Sequence, residues 1–311
     1  MTPRITAAIC TYNRADLLAG ALESLLDQTL PKHAYEVLVV DNGSTDETPD
    51  VVRRYAETAG GATLRSCVAE PPGLSHARNT AVRMAKAEIV AFMDDDALAS
   101  PRWLEALLEA YEAFPDAWAA GGRVEPLWLA PRPAWLTDGL LYGSLAMSVD
   151  LGNECRPLKP GEHVFGVNCS FRRRVFEDLG GFDTALGRKG ELFLEYEETD
   201  LLHKVRNKGK DIVYSPEALV SHIIPSWRST KRHFMKVAYG KGRTSAIVAW
   251  RDHGRTFALK KGLRSCLGTG WHCLKDSVFV HQPYRAFQCI YRLARLGGYL
   301  KQMLVYPHQG S

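Results

Sequence analysis

The chain has 311 residues, 46% of them hydrophobic and 24% charged, which is ordinary globular composition with ample material for a core. No run of 18 or more apolar residues occurs, so a transmembrane helix is not expected. The formal net charge of +4 hides an asymmetry: from Arg228 onward sixteen Lys and Arg face two Asp, a surplus of +14, which leaves −10 on residues 1–227.

Taken in chain order, the first hundred residues alternate strand and helix patterns. Strands are predicted over 4–10, 35–40, 63–69 and 89–93. Helices are predicted over 15–26, 45–59, 74–85 and 101–113; the first carries Leu18, Leu22, Leu25 and Leu26 on one face. This βαβα order implies a mostly parallel sheet covered by helices, an α/β fold. After Trp118 the pattern loosens, and the three prolines between Pro126 and Pro133 suggest an irregular surface segment. A strand returns over 163–171, then helices over 174–179 and 197–207, then two short strands over 211–214 and 218–222. From Lys231 the chain reads as helical segments broken near 262–270 and at Pro283. A domain boundary is expected near residue 228. The N-terminal part then divides into residues 1–100 and 101–227.

The opening Met1-Thr-Pro-Arg-Ile5 enters a strand at once and lacks the apolar stretch of a signal peptide. Seven scattered cysteines, with no CxxC pair, predict a reducing, cytosolic setting without disulfides or structural zinc.

Three polar clusters fall at predicted strand ends. Thr11-Tyr12-Asn13-Arg14 follows the first strand, Asp41-Asn42-Gly43-Ser44 the second, and Asp94-Asp95-Asp96 the fourth. In open α/β sheets, ligands bind outside the carboxyl ends of the strands. Three adjacent acids repel one another and need a cation nearby. Hard divalent ions such as Mn²⁺ or Mg²⁺ take such oxygen ligands, usually together with substrate phosphates. Taken alone, the Asp41 turn also fits a simple helix cap, and the acidic run Glu195-Tyr-Glu-Glu-Thr-Asp200 fits a solvated first helical turn.

The ordered set of segments Ile9-Cys-Thr-Tyr-Asn-Arg14, Val40-Asp-Asn-Gly-Ser-Thr45, Gly73-Leu-Ser-His-Ala-Arg-Asn79, Phe92-Met-Asp-Asp-Asp96, Gly166-Val-Asn-Cys-Ser-Phe-Arg172, Gly180-Gly-Phe-Asp183 and Glu197-Glu-Thr-Asp-Leu201 resembles family 2 glycosyltransferases of the GT-A fold. The resemblance covers residues 4 to about 225. It implies a Rossmann-like sheet, followed here by a basic helical C-terminal extension over 228–311. It also implies non-processive transfer of a sugar, with inversion, from a UDP-, GDP- or dTDP-sugar to a hydroxyl acceptor, in the synthesis of polysaccharide or another glycan.

The resemblance further implies roles. Thr11, Tyr12, Asn13, Arg14, Asp41, Arg78 and Asp94 would bind the nucleotide, with Tyr12 stacking on the base and Asp41 accepting from its N–H. Asp96 would be the direct ligand of Mn²⁺ or Mg²⁺, with Asp94 at the ribose or beside the metal and His222 as a further metal or diphosphate contact. Glu198 would be the general base, with Glu197 as the alternative. Asn168 would touch the donor sugar and Asp200 a sugar hydroxyl or an Arg.

A sugar-nucleotide nucleotidyltransferase would open with a Gly-rich basic loop, where this chain has Thr11-Tyr-Asn-Arg14. A dehydrogenase is disfavoured because no GxGxxG follows a strand. A non-catalytic nucleotide-sugar-binding protein would not need Asp41, Arg78, Asp94, Asp96 and an acidic pair together. The basic tail fits two roles: a peripheral contact with anionic lipid on the inner face of a membrane, through 278–305, or a cap over the acidic body. No nucleic-acid-binding module is recognisable.

Overall fold

The computed structural model describes residues 2–136, 148–188, 193–277 and 283–305. The predicted segment at 278–282 and part of the loop after Pro133 lie outside the described residues. The chain forms two compact units. Residues 2–127, 148–184 and 197–223 make the first, and 128–136, 185–188, 193–196 and 224–305 the second.

Among the described residues, the first unit is built on a nine-stranded sheet. Four parallel strands lead it: β1 (Ile5–Thr11), β2 (Tyr35–Asp41), β3 (Thr63–Val68) and β4 (Ile89–Asp94), in spatial order β3-β2-β1-β4. The apolar residues of β1, β2 and β4 are almost wholly buried, as expected of strands covered on both faces. Helices α1 (Ala15–Leu26), α2 (Thr48–Glu57) and α3 (Leu74–Met84) make the crossovers. Leu18, Leu22 and Leu25 of α1 reach the core, which is the face predicted from their spacing. Parallel register sets Thr11 opposite Asp41 and Cys10 opposite Asp94, so the three polar clusters end at one edge.

Beyond β4 the sheet continues through β8 (Asn168–Arg172), β6 (Ala119–Trp128), β9 (Ile212–Ile224) and β5 (Ala97–Ala99), with β7 (Arg156–Pro157) paired to β9. The pairings β4–β8, β6–β8, β5–β9 and β7–β9 are antiparallel. Helices α4 (Trp103–Ala113), α5 (Arg174–Leu179) and α6 (Glu197–Asn207) complete this unit.

Three strand predictions are corrected. The strand expected over 163–171 is confined to β8, because residues 163–167 are coil and turn. β6 lies where the pattern seemed to loosen. A Cβ on its Gly122 would meet the Ala218 carbonyl oxygen at 1.9 Å, so glycine is what lets β9 approach. The two short strands predicted over 211–222 are one strand, β9. Pro216 looks like an interruption, but it lies between the residues paired with β7 (Val213, Tyr214) and those paired with β5 (Val220 to His222).

In the second unit, α7 (Lys231–Ser277) packs against α8 (Pro283–Val305). The break in α7 is at Gly254, with φ of 79°, and not at 262–270 as predicted. Gly262 instead faces the Tyr299 ring, and glycines serve the helix seam. A Cβ on Gly242 would fall 1.8 Å from the Arg295 carbonyl oxygen, and one on Gly298 1.9 Å from that of Tyr239. Tyr299 closes the seam by donating its hydroxyl to the Ala258 carbonyl at 2.7 Å. The expectation of a chain without disulfides is also corrected: Cys273 on α7 and Cys289 on α8 are joined. A single pair, sixteen residues apart among seven cysteines, has no recognisable spacing; helix packing alone brings the two together. The disulfide also removes the ground on which a reducing compartment was read. No helix among the described residues is long and apolar enough to cross a membrane.

Candidate active site

The site grows from the end of β4. Asp94 is the open member of the acidic triplet, its side chain 38% exposed, whereas the side chains of Asp95 and Asp96 are 9% and 3% exposed. The repulsion expected among three acids is met from within the chain. Arg14 Nη1 donates to Asp95 Oδ1 at 3.1 Å and also to Asp96 Oδ2. Against the desolvation that would lower it, Asp95 and Asp96 hold the guanidinium pKa above its ordinary value. Thr11, itself buried, donates its hydroxyl to Asp95 Oδ2 at 2.9 Å. Burial pushes the Asp95 carboxyl up to about 7, against the pull of Arg14. The structure therefore turns Thr11 and Arg14 inward, onto the acids.

His222 arrives by strand register. β5 pairs Ala97 with His222, and the His222 Nε2 lies 3.2 Å from Asp96 Oδ1. Asp96 and His222, two of the three residues expected near a metal, are thus neighbours, although 126 positions separate them in the chain.

Arg78, on α3, is the second organising cation. It is buried, and its Nη1 donates to Glu197 Oε1 at 2.8 Å. Nη2 reaches Asp94 Oδ1 and the Gly166 carbonyl, each at 3.4 Å, and Glu198 Oε2 lies 3.8 Å from Nη1. The guanidinium packs beside the Phe92 and Phe182 rings at 5.8 Å. Gly166 leaves it room, since a Cβ there would lie 2.5 Å from Nη2. Burial would lower the Arg78 pKa, but Glu197, Asp94 and Glu198 raise it, so the group stays charged. One guanidinium therefore connects the end of β4 to the first turn of α6.

The two glutamates of that turn differ. The Glu197 side chain is 4% exposed and committed to Arg78, while that of Glu198 is 13% exposed and touches the Thr199 hydroxyl at 3.4 Å. Tyr196, just before α6, has φ of 94°, an unusual conformation for a non-glycine residue. Asp200 is buried and pairs with Lys204 Nζ at 3.0 Å along the same helix.

Immediately after β1, Tyr12 is 48% exposed. Asp41 uses Oδ1 to accept from the Ser44 N–H at 2.9 Å. Asn13, with φ of 51°, accepts from the Thr45 N–H at 2.7 Å, and its own N–H donates to the Ser44 hydroxyl. It ties the first two strand-end loops together. Asn42, which the sequence left without a role, holds the third loop by accepting from the Gly73 N–H at 2.8 Å.

Asn168 is fully buried. Its Oδ1 accepts from the Trp103 indole at 2.9 Å, and its Nδ2 donates to the Arg123 and Ala218 carbonyls at 3.0 and 2.7 Å. Both ends of the amide are spent on the sheet, so the structure makes Asn168 a core brace where a sugar contact was expected. The roles of Asp95 and Asn42 were not readable in the sequence because their partners lie 84 and 31 residues away, and no local pattern encodes such contacts.

A sheet that gathers an aromatic, an Asp turn and paired acids at its carboxyl edge presents a ligand site where α/β frames bind their substrates. Residues 6–180 match Glycosyl transferase family 2, and the chain belongs to that family. It is similar to the glucosyl-dolichyl phosphate glucuronosyltransferase of Haloferax volcanii, at 29% identity over 73% of this chain and 71% of that one. It is likewise similar to the succinoglycan biosynthesis protein ExoM of Rhizobium meliloti, at 29% identity over 81% and 78%. Among solved structures, the Pyrobaculum calidifontis mannosyltransferase PcManGT in complex with GDP-Man and Mn²⁺ shares the fold with a TM-score of 0.65 and 24% identity, covering 97% of this chain and 87% of that one. S. aureus TarS 1-349 in complex with UDP-GlcNAc superposes with a TM-score of 0.54 and 17% identity, over 98% and 91%. The expected α/β glycosyltransferase fold, with helices after it, is the fold observed.

Proposed function

We propose that the chain transfers a sugar from a nucleoside diphosphate sugar to a hydroxyl acceptor with inversion, using Glu198 as the general base and a divalent cation at Asp94 and Asp96. The observation that carries this reading is the Arg78 clamp. It commits Glu197 to a buried ion pair and leaves Glu198, the next residue, the more accessible carboxylate. A base must be able to reach the acceptor proton, and a carboxylate locked under a guanidinium cannot. Arg78 is then a positioning residue that fixes the base relative to the donor side.

Tyr12 is suited to stacking on the nucleobase and Asp41 to accepting from its N–H. The cation would be held by Asp94 and Asp96, with His222 beside Asp96. No cluster of three or more His, Cys, Asp or Glu forms a metal cage among the described residues. Ions of the Mg²⁺ type, however, need only one or two carboxylates when substrate phosphates complete the shell. When bound, the cation would neutralise charge on the departing diphosphate. The Mn²⁺ in the PcManGT complex supports this choice of cofactor. The relatives' names point to glycan or glycolipid assembly, and a lipid-linked acceptor is the class we favour.

The test is release of nucleoside diphosphate from a panel of UDP-, GDP- and dTDP-sugars with Mn²⁺ or Mg²⁺. Glu198→Gln should lower kcat by about 10²–10⁴-fold with donor affinity little changed. EDTA should abolish turnover, and added Mn²⁺ should restore it. Full activity of Glu198→Gln beside a dead Glu197→Gln would swap the two roles.

A further inference from the structure

The helices of the second unit carry an exposed apolar face. At about 100° per residue, Leu259, Leu263, Leu267, Trp271 and Leu274 of α7 fall within an arc of about 120° and make a stripe about 22 Å long. Each is between 52% and 69% exposed. On α8, Ile290, Leu293, Leu300 and Leu304 fall within about 80° and are 43% to 73% exposed. Isolated exposed leucines are ordinary, but two regular stripes on paired helices are not. The inner faces of the same helices are closely fitted through Gly242, Gly298, the Tyr299 hydroxyl and the Cys273–Cys289 bond. The stripes are therefore the outer surface of a well-made hairpin.

Charge selects the occupant. Lys260, Arg264 and Lys301 are exposed on or beside the stripes, and the chain from Arg228 onward carries its surplus of +14. A second copy would bring like charge against like charge. A nucleic acid would satisfy the lysines and arginines but leave the leucines in water. An anionic bilayer surface satisfies both, taking the apolar stripe at the acyl boundary and the cations at the headgroups. Neither helix is apolar enough to span, so the fit is to the plane of the interface. We infer that the α7–α8 hairpin is a docking surface for an anionic lipid bilayer, on which the helices lie flat.

The test is sedimentation of the full chain with vesicles of phosphatidylcholine alone, or of phosphatidylcholine with phosphatidylglycerol. The chain should pellet with the anionic vesicles, and less so as salt rises. Changing Lys260, Arg264 and Lys301 together to Gln should weaken binding on the order of 10²-fold, about fivefold per side chain. Changing Leu263, Leu267 and Leu274 together to Gln should reduce it by at least as much. Both variants should keep wild-type circular dichroism and donor hydrolysis, because none of these residues belongs to the catalytic unit. Equal binding to both vesicle types, binding to neither, or an unaffected leucine variant would overturn the inference. So would a chain that ignores vesicles but forms a dimer that the leucine variant dissociates.

Discussion

At the scale of single residues, Arg78 decides how the site is arranged. Its fork meets Glu197 and Asp94 at once, which a lysine ammonium on a flexible stem cannot do. Arg78→Lys should keep the chain folded yet lower kcat by about 10²-fold, the cost of a misplaced catalytic group, with a smaller effect on KM. Arg78→Ala leaves Glu197 buried and uncompensated, and should lower stability by about 3–5 kcal/mol in denaturant unfolding. If Arg78→Lys turned over like wild type, the clamp would have no positioning role. The residues legible in the sequence are those with local signatures: the Asp94-Asp95-Asp96 triplet closing an apolar run, the turn at Asp41, and the acidic start of α6. What could not be read was which glutamate is free and which polar residue is core. The first depends on Arg78, 119 positions from Glu197, and the second on a hydrogen bond from Trp103 to Asn168, 65 positions apart.

At the scale of elements, the alternating half of the chain was legible because each strand and helix there has its own periodicity and its own stop. The later half was legible in its helices over 174–179 and 197–207 but less so in its strands and in the long helix, because some glycines and one proline stand there for packing and not for turns. Gly121-Gly122 and Pro216 sit inside strands, and Gly262 inside a helix. The seam of α7 and α8 offers a direct check. Gly298→Ala places a methyl against the Tyr239 carbonyl and should cost about 1–3 kcal/mol, seen as a lower Tm. The neighbouring Gly297→Ala meets nothing within 4 Å and should be neutral or raise stability by up to about 1 kcal/mol through helix propensity. Equal effects from the two variants would mean that the seam is looser than its geometry implies.

At the scale of the whole molecule, the second unit carries a pH-dependent weakness. His233 packs against Phe193 and Trp227, and burial, then Arg228, Arg188 and Lys236, lower its pKa from 6.5 to about 4. The unfolded chain binds this proton more readily than the folded one. The His233 contribution is therefore complete above about pH 6.5 and lost as pH falls through about 4. Tm should fall across that window, and His233→Asn should flatten the fall; an unchanged slope would assign it to other groups. The first unit holds a different imbalance. Five carboxylates, Asp94, Asp95, Asp96, Glu197 and Glu198, share two guanidiniums, Arg14 and Arg78. A bare nucleotide diphosphate entering there would meet a field of its own sign, so ion and donor should each recruit the other. Thermodynamic reciprocity then requires that whatever factor Mn²⁺ adds to donor affinity, the donor adds to Mn²⁺ affinity. Titration calorimetry of each with and without the other should show the two factors equal and greater than one, whichever of the pair arrives first.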